Sequence, residues 1–227
     1  MNKKIKFGIS LLFATACIAQ AEIVRSNATS GAPQNDAKGT VIDFDSTIVT
    51  KATASPALTN GVSYSIDSLQ LTVHMGTSSM NNDITVYLGV YTGLSGSTLS
   101  GFQGVSDSAI TIIDDDRIKP ITWDFSNMSV TSEANPGAGG DQRYFVFQTG
   151  TTALANLDAA TTISLNRVKE NEVDYANQLS AVLRPNGTRA DTNPLYVATL
   201  SIPEPATWGL IAIMAGAVIF VHRRFVR

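Results

Sequence analysis

Ile84-Thr85-Val86-Tyr87-Leu88-Gly89-Val90-Tyr91 alternates aliphatic positions with polar or aromatic ones. Ile84, Val86, Leu88 and Val90 share one parity, while Tyr87 and Tyr91 fall on the other. A period of two puts each set on its own face of an extended chain, so this stretch predicts a β-strand with one buried face.

The same period continues on both sides. Upstream, Val62, Tyr64 and Ile66 alternate, and the apolar parity then slips to Leu69, Leu71, Val73 and Met75. Because a one-residue slip moves every side chain to the opposite face, the slip predicts either two strands or one strand with a bulge near Asp67-Ser68. Ile42, Phe44 and Ile48 within Thr40–Thr50 predict an earlier half-buried strand, with Asp43 and Asp45 pointing to solvent. Residues 51–61, with Pro56 and Asn60-Gly61, predict a loop that closes on a turn. Residues 22–38 are polar, rich in small side chains and without period, and predict a flexible N-terminal arm or a leading irregular strand.

Downstream, the Gly/Ser-rich residues 93–104 predict a long loop, and 132–141 another. Ala109–Ile113 and Ile121, Trp123 and Phe125 predict two strands around Asp114-Asp115-Asp116. Tyr144–Thr149 (YFVFQT) is apolar on both parities and predicts a central strand; residues 152–160 allow one short helical turn. Ile163 and Leu165, then Leu179, Ala181 and Leu183, then Tyr196, Ala198 and Leu200 predict the closing strands. Eight to ten strands without a helix of ordinary length predict an all-β fold, a single β-sandwich of jelly-roll-like or immunoglobulin-like type over residues 39–201.

The two ends of the chain differ from this domain. Lys3, Lys4 and Lys6 precede an apolar run from Phe7 to Ala19, and Ala19-Gln20-Ala21 is an A-x-A cleavage site. Residues 1–21 therefore predict a secretory signal peptide cut before Glu22. The single cysteine, Cys17, leaves with it, so the exported chain must be held by its core without disulfides. Residues 22–202 contain 10 basic and 18 acidic residues, a net charge of −8. That balance argues against nucleic acid or anionic lipid as a partner.

At the other end, residues 202–227 fall into three parts. Pro203-Glu204-Pro205 comes first; two prolines remove two backbone donors and keep the triplet out of helix and ladder. An uncharged run follows, opening with Trp208, Gly209, Leu210, Ile211 and Ala212, continuing through Ile213, Met214, Ala215, Gly216 and Ala217, and closing with Val218, Ile219, Phe220 and Val221. Counted from Ala206 it is about 16 residues, roughly 24 Å as a helix at 1.5 Å per residue. A hydrocarbon core is about 30 Å thick, so this predicts a short transmembrane helix. Arg223, Arg224 and Arg227 then form a basic stop, which places that end in the cytoplasm and Trp208 at the outer interface.

This ordered tail resembles the PEP-CTERM sorting signal of exported bacterial proteins, over Pro203 to Arg227 only. The resemblance implies an exosortase as the enzyme acting at Pro203-Glu204-Pro205, after signal peptidase has acted at Ala21. It implies passage through the inner membrane of a Gram-negative-type bacterium to the cell envelope, outer surface or exopolysaccharide matrix.

The domain itself offers little chemistry. His74 is the one histidine between the terminal segments and falls on the outward parity of its strand. Nucleophile-elbow, zincin and Cys/His metal patterns are absent from the sequence. Carboxylates sit at Asp43 with Asp45, at Asp114–Asp116, at Asp124 and at Glu170, Glu172 and Asp174, which would serve a glycan hydrolase only if two faced each other across a cleft. Asp114-Asp115-Asp116 and Asn81-Asn82-Asp83 could lend oxygen ligands to Ca²⁺, although neither has the spaced calcium-loop pattern. Tyr87, Tyr91 and Trp123 are candidates for a sugar-stacking platform. These features predict a non-enzymatic structural or adhesive protein, with a carbohydrate-binding module as the alternative.

Overall fold

The structure, a computed structural model, describes residues 22–26, 30–44, 58–74, 82–114, 118–132, 142–168, 180–187 and 194–202. They form thirteen strands in two antiparallel sheets and one short 3₁₀ turn.

The first sheet is built on β4 (Ser63–His74), twelve residues long. One edge of β4 takes β9 (Ser129–Thr131) and β8 (Ile118–Asp124) end to end. The other takes β13 (Tyr196–Ser201) and, at Val73, β11 (Ile163–Val168). The parity slip is a bulge within this one strand. Thr199 pairs with Ser68 and Leu200 with Ile66, so Asp67 is the extra residue. Tyr64 and Ile66 before it and Leu69, Leu71 and Val73 after it are therefore all buried. Without the bulge one of these two sets would face water.

Residues 22–38, expected as a flexible arm or a leading irregular strand, are corrected from an arm to two strands. β1 (Glu22–Ser26) pairs with β13, and β2 (Ser30–Ala37) pairs with β11. β2 carries Pro33 and two register shifts against β11, features tolerated because it is an edge strand that needs hydrogen bonds on one side only.

The second sheet has the order β12 (Ser180–Leu183), β3 (Gly39–Asp43), β10 (Gln142–Gln148), β5 (Ile84–Ser95), β6 (Thr98–Val105), with β7 (Ile110–Ile112) also on β5. The predicted central strand is central, lying between β3 and β5. The long loop expected at 93–104 is instead a hairpin, in which Gly96 (φ +59°) supplies the left-handed turn between Ser95 and Thr98. Its glycines read as loop, but in the structure one makes the turn and others lie within the strands. β3 is not half-buried as its alternation suggested: all five residues are buried. At its start, a Cβ on Gly39 would overlap the carbonyl oxygen of Phe145, so the β3–β10 approach requires glycine there.

The two sheets share one core. Leu69, Leu71, Trp123 and Leu165 from the first pack with Ile42, Leu88, Phe145 and Phe147 from the second. Trp123 lies against Phe147 (ring centroids 5.9 Å) and Phe125 against Phe145 (6.0 Å). The outer face of the second sheet is apolar as well: Val41, Tyr91, Tyr144, Val146, Ala181 and Leu183 pack beneath Leu157 and Ala160. Residues 149–162, including the 3₁₀ turn Leu157–Ala159 capped by Asn156, lie over that face as a strap.

Candidate functional site

Pro203-Glu204-Pro205 lies one residue beyond the last strand in sequence. β13 is held on both sides, Glu22 pairing with Ser201 across to β1 and Ser65 pairing with Ser201 across to β4. The Ser201 hydroxyl donates to Asp67 Oδ1 at 3.0 Å, the residue that the bulge turns toward it. Asp67 contributes its backbone too, its carbonyl accepting from Phe125 N–H at 2.8 Å. Ser201 is buried, whereas Ile202 is exposed. Pro203, Glu204 and Pro205, the apolar run Trp208–Val221, Arg223, Arg224 and Arg227, and Ala19 and Ala21, expected at a signal cleavage site, lie outside the described residues. No helix among the described residues is long and apolar enough to cross a membrane.

What sequence reasoning missed at this site is the N-terminal partner of β13. The signal was slight, since Ile23-Val24 is the one β-prone pair in Glu22–Ser26 and five residues hold no measurable period.

The aromatic candidates are not a platform. Trp123 is fully buried, its Nε1–H donating to the Val86 carbonyl at 3.3 Å. Tyr91 is buried; its hydroxyl donates to Gln148 Oε1 at 3.0 Å and accepts from Leu154 N–H at 2.7 Å. Burial pushes the Tyr91 phenol above its ordinary value, partly offset by the Leu154 N–H. Tyr87 is half-buried. The three side chains thus present no shared exposed face on which a sugar ring could stack.

The carboxylates are dispersed. Asp43, expected on the solvent side, is buried and accepts from Gln142 Nε2 at 3.1 Å. The hydroxyl of Tyr144 in turn donates to Gln142 Oε1 at 3.1 Å. Asp124 is exposed, and Asp45, Glu170, Glu172 and Asp174 lie outside the described residues. The two calcium candidates do meet at one end of the β5–β7 pair, where Asp114 N–H donates to Asp83 Oδ1 at 3.0 Å. Asn81, Asp115 and Asp116 are not among the described residues, within which no group of three His, Cys, Asp or Glu side chains converges. His74 is half-buried at the end of β4, rather than fully at the surface, and its Nδ1 is enclosed without a hydrogen-bond partner.

Lys38 stands where the chain passes from β2 to β3. It is buried and donates from Nζ to the Ala160 carbonyl at 2.6 Å, tying the strap to the sheet. Desolvation lowers its pKa, and Asp158 opposes this by favouring the charged form.

Compared with known proteins, the chain matches no family model, no curated protein and no solved structure.

Proposed function

We propose that the chain is an exported structural or adhesive protein of the bacterial envelope or exopolysaccharide matrix. In this reading a non-catalytic β-sandwich, jelly-roll-like or immunoglobulin-like, is delivered by its signal peptide. It is then sorted through its C-terminal tail by an exosortase. The observation that carries the reading is the order of that tail: Pro203-Glu204-Pro205, an uncharged run through Val221, then Arg223, Arg224 and Arg227. An extended, proline-locked segment suits an enzyme groove that takes peptide in extended form. A short apolar helix suits temporary lodging in the bilayer better than permanent anchorage.

The test is to replace Pro203, Glu204 and Pro205 together with alanine in the full chain and follow size and location by cell fractionation. The expected outcome is retention of the tail and accumulation in the inner membrane. A variant that matches the wild-type chain in both size and location would leave a simple anchor and remove the sorting reading.

A further inference from the structure

Ser201 ends the last strand, and the chain continues beyond it through Ile202. Any pull on that continuation enters the domain at Ser201. β13 receives it with partners on both sides, six of its residues registered against β4 and five against β1. Its Ser201 end is further fastened by the hydroxyl bond to Asp67. Its start is fastened as well: Leu195 N–H donates to the Asn166 carbonyl at 2.9 Å, and the Leu195 carbonyl accepts from Thr72 N–H at 3.1 Å.

We propose that β13 is the tension-bearing strand of this domain, holding against a pull from its C-terminal side. The proposal rests on the adhesive reading above, because adhesion is what sets a pull against the attachment. Hydrogen bonds in an antiparallel ladder lie perpendicular to the strands. A pull along β13, countered at the opposite end of the sheet, loads all of its ladder bonds at once, and they must fail together. A pull that separates two paired ends loads the terminal pair alone, and the ladder opens one pair at a time. Forced opening follows the unfolding rate rather than the equilibrium stability, so one fold can resist one direction and yield to another.

The register gives both directions a definite place. Ser68–Leu71 of β4 are paired with β13 and with β8 together, so these two strands flank β4 on opposite sides. Ser201 pairs with Ser65, and Lys119 of β8 pairs with Val73, eight positions further along β4. That separation is about 27 Å at about 3.4 Å per residue. A pull between Ile202 and Lys119 therefore draws β13 and β8 past β4 in opposite senses and loads both ladders in shear. Glu22, by contrast, is paired with Ser201 itself. A pull between Glu22 and Ile202 opens β1 from β13 pair by pair. A contact made at the end of the first sheet where Ile118 and Lys119 are exposed is thus held in the strong direction.

Single-molecule force spectroscopy on the full chain tests this, with handles attached through cysteine pairs. Cys17→Ser removes the one native cysteine and serves as the common background. One pair is Lys119→Cys with Ile202→Cys, both at exposed positions. The other is Glu22→Cys with Ile202→Cys, across the paired ends. If Lys119→Cys lowers the urea midpoint, Ile118→Cys, also exposed, takes its place. At one loading rate, the force of the first opening is expected to be several-fold higher for the Lys119 pair than for the Glu22 pair. Equal forces, or a weaker Lys119 direction, overturn the proposal. No processing enzyme enters the measurement, so its failure is distinct from failure of the sorting reading, which the alanine triplet tests separately.

Discussion

The two sheets bury their residues in different ways. In the first, β4 and β8 alternate: β4 buries Tyr64, Ile66, Leu69, Leu71 and Val73 and leaves the residues between them partly open, and β8 buries only Ile121 and Trp123. In the second, β3 is buried throughout and β10 nearly so. The cause lies outside both sheets, in the strap of residues 149–162 over the outer face of the second. Tyr91 and Gln148 hold the start of this strap, Gln148 Nε2 donating to the Gly150 carbonyl at 2.7 Å, and Lys38 holds its far end. Between them, Leu99 N–H donates to Ala155 O and Leu157 N–H to Ser97 O, so the hairpin of β5 and β6 also grips the strap. A sheet covered on one face needs alternation, whereas a sheet covered on both needs continuous apolar strands.

This contrast yields a ranked set of expectations. The largest effect belongs to the core that both sheets share. Trp123→Ala removes a fully buried ring stacked near Phe147, and a cost of about 3–5 kcal/mol is expected, read as a lower urea midpoint at unchanged slope. Next comes the strap. Leu157→Ala uncovers the outer face of the second sheet alone, at about 2–3 kcal/mol, since a surface segment relaxes into the space more readily than a core. Hydrogen exchange should rise for β3 and β10 and stay unchanged for β4 and β13. Equal protection losses in both sheets would show that the strap and the common core are one cooperative unit.

The smallest effect is expected from Lys38→Met, which removes the charge-assisted bond to Ala160 O at a cost of about 1–2 kcal/mol at neutral pH. Its pH dependence has a definite sign. Because folding lowers the Lys38 pKa below 10.5, the unfolded chain binds more protons between the two values, and wild-type stability rises with pH over that window. The variant lacks this rise, so wild type should gain on it as pH approaches 10.5. Tyr91 acts in the opposite sense. Its raised pKa makes stability fall above pH 10, equally in both proteins, and the difference between them isolates the lysine. A constant difference from pH 7 to 10.5 would show that the Lys38 amine is not desolvated.

The strands of the first sheet that were legible, β4, β8 and β13, each have one buried and one more open face. β13 shows Tyr196, Ala198 and Leu200 buried in alternation as expected, and the parity slip, which allowed two strands or a bulge near Asp67-Ser68, is a bulge at Asp67. Residues 22–37 were only partly legible, an irregular strand standing there as an alternative to a flexible arm. Their composition, Ser-Gly-Ala-Pro-Gln-Asn-Asp-Ala over β2, has weak strand preference, and pairing with β11 and β13 overrides it. Trp123 and Tyr91 illustrate the same limit at the level of a site. As residue types they suit sugar stacking, and only their burial removes them from that role.

The sequence by itself determined the all-β class, the central place of Tyr144–Thr149 and the ordered tail behind Ile202, because periodicity and residue order are properties of a single chain. The tertiary structure alone decided that Glu22 lies beside Ser201, that a strap covers the second sheet, and that Asp67 reaches the end of β13. Each of these joins residues far apart along the chain. No local preference encodes such a contact; it arises when burying one element leaves a single place for the next.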